Sequence, residues 1–320
     1  MPDWRPDFLG DGLEQLTLAS DAADTTVATL VRRLPPWRHA HFGLLRDVDV
    51  LYVHGWSDYF FQTEVARWWN ARGARFFALD LRRYGRSLRE GQTPGYVADL
   101  DEYDADIAAA LAAMARGSRR LVLMGHSTGG LILTLWAARF PGVAHALVLN
   151  SPWLEMQGGP VARQALGAFV HLRATVDPLG GQPEVDFGFY TRAQREIGTL
   201  PTDVHREQWR PDRGFATHPG WFSAVLRGHE RIAAGVEVGC PALVLLSARW
   251  MPPVQWAEDM TRADTVLVVD DIARAATRIG ADVTVARIHD GVHDLFLSRP
   301  GPRAAAFAAL DRWMLRGALD

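Results

Sequence analysis

Residues 121–130 read "LVLMGHSTGG", and the reading of this stretch decides the fold. The first four residues are apolar and fit a short buried strand. The "LILTLWAARF" that follows (131–140) has helical spacing. Between them lies G-x-S-x-G, from Gly125 to Gly129. A sharp strand-to-helix turn drives its serine into sparsely allowed backbone angles, and small residues two places to either side relieve the crowding. Ser127 is then a nucleophile on a strained turn. On the competing reading the glycines only make a tight corner, and the rest of the chain must discriminate.

The length, 320 residues, suits one large α/β domain with an insertion. Hydrophobic residues make up 48% and charged residues 22%, as in ordinary soluble globular proteins. A formal net charge of -3 asks for neither nucleic acid nor an anionic membrane. All 34 basic residues are arginine. A single cysteine, Cys240, leaves no internal disulfide and fits a reducing compartment. The opening "MPDWRPDFLG" carries two aspartates and no apolar run, unlike a secretory signal. No apolar run reaches the roughly 18 residues of a membrane span. The expectation is a cytoplasmic protein with no membrane span, its oligomeric state unassigned.

Outward from the serine, the pattern alternates. "TTVATLVRRL" (25–34) fits an early antiparallel strand, and "DVDVLYVHG" (47–55) is a continuous apolar strand. "TEVARWWNARG" (63–73) is an amphipathic helix with a glycine stop, followed by the strand "ARFFALDL" (74–81) and a helix over 99–117. After the serine strand and its helix comes "VAHALVLNS" (143–151). Strands apolar throughout and separated by helices predict a mostly parallel sheet covered on both faces. Over 155–239 the alternation fails, then resumes with "PALVLLSAR" (241–249), a helix near 267–279, "DVTVARIHDG" (282–291) and a closing helix. The predicted organisation is a core over 1–154 and 240–320, interrupted by a helical cap over 155–239, since a structureless loop of that length is improbable.

A serine hydroxyl needs a base and a group to orient it. His293, in "IHDGVHDLFLS", follows the last predicted strand, at the sheet edge where chemistry collects in open α/β sheets. The order serine, acid, histidine is the one expected for a G-x-S-x-G turn. The acid is sought in "WMPPVQWAEDMTRADTVLVVDD" (250–271). Asp264 is favoured, with Asp259, Asp270, Asp271 and Glu155 as alternatives. Backbone N–H groups of Thr128 and Trp56, the latter in "HGWSDY", would hold the oxyanion. His54 shapes the loop it opens. Tyr59, Trp153 and Tyr190 are candidate pocket walls. The arginine pairs 32–33, 82–83 and 119–120 read as solvated faces or loop anchors. No cysteine cluster or spaced His–Glu set suggests a metal site, and no cofactor is required.

Together "YVHGWSDY", "LDLRRYGRSLR", "GHSTGG" and "GVHD" resemble the α/β-hydrolase superfamily, and within it the capped serine hydrolases similar to monoacylglycerol lipases and lysophospholipases. The resemblance spans nearly the whole chain except the cap. One departure is Arg83, standing where the family's Asp-x-Arg-Gly-x-Gly-x-Ser loop has glycine, which leaves Gly85 to relieve the backbone. A second is an acid loop longer than usual, with Trp250 and Trp256. Relatives that open epoxides or carbon–halogen bonds carry aspartate on the elbow, and Ser127 argues against both. The resemblance implies a carboxylic-ester hydrolase acting on a small or lipid-like ester through an acyl-enzyme on Ser127. Alternatives are an acyltransferase with the same triad, an aminopeptidase recruiting Glu184, Asp186 or Glu196, and a non-catalytic binding module.

Overall fold

The computed structural model describes residues 2–19, 26–158, 160–181, 188–200 and 207–319. Nine strands form one sheet in the order β1-β2-β3-β5-β4-β6-β7-β8-β9. They are β1 (Arg5–Pro6), β2 (Glu14–Ala19), β3 (Val27–Arg33), β4 (Val48–Val53), β5 (Arg75–Asp80), β6 (Arg120–His126), β7 (Ala146–Asn150), β8 (Ala242–Ser247) and β9 (Val283–Ile288). β1, β2 and β3 run antiparallel, and β3 pairs antiparallel with β5. From β5 through β4, β6, β7 and β8 to β9 every pairing is parallel. This is the α/β architecture that the alternation of apolar runs and helices predicts.

The apolar runs are continuous because both faces are covered. Successive side chains go to opposite faces. On one face Leu51, Val53, Leu121, Leu123, Leu147, Leu149, Val244 and Leu246 meet α3 (Tyr103–Ala113), α4 (Thr128–Arg139), α7 (Pro219–Ala234) and α8 (Val269–Ala276). On the other, Val50, Tyr52, Val122, Met124, Val148 and Leu245 meet α2 (Thr63–Asn70) and α9 (Pro300–Met314). α1 (Trp37–Phe42) lies outside, with none of its residues buried. Between β7 and β8 the described residues form α5 (Pro160–Val176), α6 (Phe189–Glu196) and α7. α7 joins the sheet's own core through Trp221, Val225 and Ile232.

Two devices bring the strand ends into register. The first is electrostatic. Asp80, fully buried at the end of β5, accepts Phe60 N–H on Oδ1 (2.9 Å) and Arg86 N–H (3.0 Å) and Nη1 (2.8 Å) on Oδ2. Arg86 also forks onto Asp7 (2.7 and 2.9 Å) and donates to Phe60 O (3.1 Å). Burial opposes the charge on Arg86, and the carboxylates of Asp80 and Asp7 outweigh it, raising its pKa. The second device is steric. A Cβ at Gly129 would fall on the carbonyl oxygens of Val53 and His54, and one at Gly125 within 2.7 Å of Gly129 O. The start of α4 therefore lies flush against the end of β4.

The arginine pairs are anchors. Arg32 binds Glu14, and Arg33 binds Asn70 and Asp11. Arg82 forks onto Asp106, and Arg83 donates to Tyr96 O (2.7 Å). Arg119 holds Asp49 and Arg120 holds Asp47. Arg83 itself takes the left-handed backbone at φ 63°, as does Gly85 at φ 45°, so Gly85 does not relieve Arg83 of the strain.

Two outcomes follow for stability. Arg86→Leu leaves Asp7 and Asp80 buried without their cation and lowers unfolding free energy by about 3–5 kcal/mol in urea denaturation. Gly129→Ala forces the α4 start off β4 and costs about 3 kcal/mol in the same assay.

Candidate active site

Ser127 sits between β6 and α4 at φ 51°, ψ -118°, outside the regions open to ordinary L-residues. Backbone hydrogen bonds hold it there. Its N–H donates to Asn150 O (3.1 Å), and its carbonyl accepts from Gly130 N–H (2.9 Å) and Trp153 N–H (3.0 Å). Gly55 closes the front, where a Cβ would come within 3.1 Å of Ser127 Cβ. Thr128 opens α4, so its N–H belongs to the first turn, which has no partner within the helix. Trp56 directly follows Gly55, and its ring lies on Trp221 with centroids 3.6 Å apart.

His293 and Asp264 are brought together. His293 Nδ1 lies 2.9 Å from Asp264 Oδ2, with 2% of the histidine and none of the aspartate exposed. A carboxylate only accepts, so Nδ1 carries the proton and Nε2 is left as the basic nitrogen. Asp264 Oδ1 accepts the N–H groups of Val266 and Leu267, each at 2.8 Å. The long acid loop returns to where β8 ends. Asp264 N–H donates to Arg249 O, and Met251 N–H to Asp264 O (2.9 Å), in a bridge beside Trp250. That explains how a residue 17 positions past Ser247 stands at the strand's mouth. Among the alternatives, Asp259 pairs with Arg249, Asp270 with Arg287, and Asp271 with Arg274. Glu155 accepts from Met156 N–H.

Two further histidines frame the serine. His126 donates from Nδ1 to Asn150 O (3.0 Å), and its ring lies 4.9 Å from that of His293. Burial, together with the neighbouring His293, lowers the His126 pKa against the pull of Asp294 and Asp58. His54 accepts Leu81 N–H on Nε2 (3.2 Å) and donates from Nδ1 to Gly55 O (2.8 Å), locking the loop after β4. Burial lowers its pKa too.

The pocket candidates have separate positions. The Tyr190 ring stands edge-on to His293, at 5.3 Å and 83°. Trp153 packs against His229 at 5.1 Å, and its buried indole N–H has no hydrogen-bond partner among the described residues. Tyr59 is 1% exposed, enclosed by Phe8, Phe61 and Trp209. For the aminopeptidase alternative, Glu196 pairs with Arg192 on the surface, while Glu184 and Asp186 lie outside the described residues. Among the described residues no group of three or more His, Cys, Asp or Glu is placed to hold a metal, and no helix is long and apolar enough to cross a membrane.

Sequence reasoning missed a polar layer behind the histidine. Asp294 accepts from Asn150 Nδ2 (2.8 Å) and Gln62 Nε2 (3.2 Å). Its place beside His293 was the only available signal. Asp58, in the quoted "HGWSDY", is also buried, and Arg210 Nε donates to its Oδ1 (3.2 Å). Burial raises the Asp58 pKa to about 6, with Arg210 and then His126 opposing and Asp294 reinforcing. Nothing in the sequence around Arg210 signals this pairing.

Comparison with known proteins identifies the family and the fold. A family model described as serine aminopeptidase, S33 (Hydrolase_4) matches residues 47–299. A monoacylglycerol lipase of Mycolicibacterium smegmatis is 32% identical over 173 residues, 50% of this chain and 60% of the lipase. A probable esterase, PIR7A, of Oryza sativa subsp. indica is 39% identical over 88 residues, 28% of this chain and 32% of the esterase. The matches thus span less than two thirds of either curated relative. Among solved structures, a soluble variant of the Saccharomyces cerevisiae monoglyceride lipase aligns with a TM-score of 0.65 at 13% identity, covering 99% of this chain and 96% of that one. The Paleococcus ferrophilus monoacylglycerol lipase aligns at 0.63 and 17% identity, covering 86% and 96%. The structural likenesses speak for the fold, and the family model, which matches more than three quarters of the chain, settles its membership: the protein belongs to the serine aminopeptidase S33 family of α/β hydrolases.

Proposed function

We propose that this protein is a carboxylic-ester hydrolase that cleaves a small or lipid-like ester through an acyl-enzyme on Ser127. The observation that carries the reading is the pairing of His293 with Asp264 at 2.9 Å, its imidazole 4.9 Å from the ring of His126, the residue that precedes the serine held at positive φ. In this reading His293 Nε2 takes the Ser127 proton as Oγ attacks the acyl carbonyl. The N–H groups of Trp56 and Thr128 receive the developing oxyanion. His293 then protonates the departing alcohol, and the acyl group stays on Ser127. Water, deprotonated by the same nitrogen, attacks the acyl-enzyme and releases the acid.

Asp264 orients the imidazole and steadies its cation. Its Oδ1 is already committed to two backbone N–H groups, so Oδ2 has one fixed direction. Trp153, and Tyr190 on α6, serve as pocket walls where α5 and α6 are inserted between β7 and β8. Tyr59, enclosed by aromatics, supports the loop of Trp56 rather than touching substrate. The curated lipase relative favours a lipid-like monoester. An ester is favoured over a peptide because an aminopeptidase needs a carboxylate for the substrate amine. Of the carboxylates considered for that role, Glu196 already pairs with Arg192 on the surface, and the buried Asp58 pairs with Arg210.

A fluorophosphonate probe is expected to label Ser127, as mapped by mass spectrometry. Ser127→Ala abolishes labelling and lowers kcat on short-chain esters by about 10⁴ to 10⁶, with the circular dichroism spectrum unchanged. Asp264→Asn lowers kcat by about 10³ to 10⁴, and a near-normal rate in that variant would move the acid elsewhere. Amide substrates turning over faster than esters would overturn the ester reading.

A further inference from the structure

One buried cation reaches from the segment between β7 and β8 into the site. Arg210 is 4% exposed, and its guanidinium is divided among three partners. Nε donates to Asp58 Oδ1 (3.2 Å), Nη2 to Gln194 Oε1 (2.5 Å) and Nη1 to Thr191 Oγ1 (3.4 Å). Gln194 is fully buried and passes the contact on, donating from Nε2 to Tyr190 OH (2.8 Å). Tyr190 presents its ring to His293 at 83°. One side chain therefore touches both halves of the chemistry: the loop of Trp56 through Asp58, and the imidazole through Gln194 and Tyr190.

Nothing in the catalytic reading uses Arg210 or Asp58, yet both are buried ions whose pairing must offset a large loss of hydration. The loop they grip is tied to the same segment at two more points. Phe215 N–H donates to Ser57 Oγ (3.0 Å), and Trp221 lies on Trp56. Ser57 itself holds a positive φ of 51°, so the loop is strained as well as tethered. Tyr52, Tyr190, His126 and Asp294 also face Asp58 electrostatically, and Arg210 is the cation among them.

We propose that Arg210 is a positioning residue, which aligns the Trp56 loop and the His293 ring through Asp58 and the Gln194–Tyr190 relay, so that the site is assembled only while the inserted segment is seated. The inference rests on the ester-hydrolase reading above. It predicts that turnover, more than substrate affinity, depends on this contact. A conventional wall residue acts in the opposite sense, mainly on KM.

The test is kcat per active site, counted by fluorophosphonate titration of Ser127, on a short-chain ester too small to need the full pocket. Arg210→Met is expected to lower this kcat at least tenfold while changing KM less than threefold. Arg210→Lys, which keeps a cation, recovers part of the loss. Gln194→Met, close in volume, leaves the Arg210–Asp58 pair but removes both the acceptor of Arg210 Nη2 and the donor to Tyr190 OH, and lowers kcat severalfold; it and Arg210→Lys decide the matter if Arg210→Met does not fold. The double variant Asp58→Asn/Arg210→Met falls no further than Arg210→Met alone, because the two side chains act as one unit. A wild-type kcat per titrated site in Arg210→Met or Gln194→Met overturns the inference and leaves the hydrolase standing. A loss confined to KM does the same. Wild-type protein that takes no label at Ser127 removes the hydrolase reading, and this inference with it.

Discussion

The structure depends on one buried cation between two carboxylates. Arg86 binds Asp80 at the end of β5, Asp7 in the N-terminal segment and the carbonyl of Phe60 in the loop after β4. Each group alone would be too costly to bury, and together they satisfy one another. Asp80 spends its other oxygen on Phe60 N–H, so the loop after β4 is gripped from both sides of its peptide chain. The conformation of that loop sets where Gly55 and Trp56 lie. Geometry at the strand ends is thus fixed by a contact that touches no reacting atom.

Against this electrostatic clamp works a steric limit. β4, β6 and the start of α4 approach so closely that no side chain fits at Gly125 or Gly129. The same closeness presses Gly55 onto Ser127 and leaves the serine no relaxed conformation. Strain at a single residue persists only when its surroundings over-determine it. Here the determining contacts are backbone hydrogen bonds from β7 and from Trp153.

What was legible in the sequence follows from how local each signal is. The parallel strands could be read because every residue of β4, β7 and β8 is buried, so each run is apolar but for one hydrogen-bonded polar residue, Asp49, Asn150 and Ser247 respectively. β2 was missed: its burial is mixed, and the alternation of Gln15, Leu16, Thr17 and Leu18 in "EQLTLA" spans only four residues. α1 was missed because it buries nothing and so has no apolar stripe. The relief expected from Gly85 fell instead on Arg83, where a side-chain bond to Tyr96 O and a backbone bond from Gly95 N–H hold the left-handed turn. Asp264 could be named among several carboxylates but not singled out from sequence, because its nearness to β8 depends on a bridge closed across a long loop. Asp58 and Arg210 are 152 residues apart, and their pairing is purely tertiary. Composition and spacing contain no trace of it.

The anchoring arginines carry one more consequence. With no lysine in the chain, the ion pairs of the clamp, the anchors and the tether all use a guanidinium, and His293 with Asp264 stands apart from them. A guanidinium keeps its proton beyond about pH 12, whereas an ammonium begins to lose its own near pH 10. The clamp at Arg86 and the anchor at Arg82, each with its pKa raised, against burial, by its carboxylate partners, therefore hold their charge throughout the alkaline range. In base, this framework does not come apart by neutralisation of its cations.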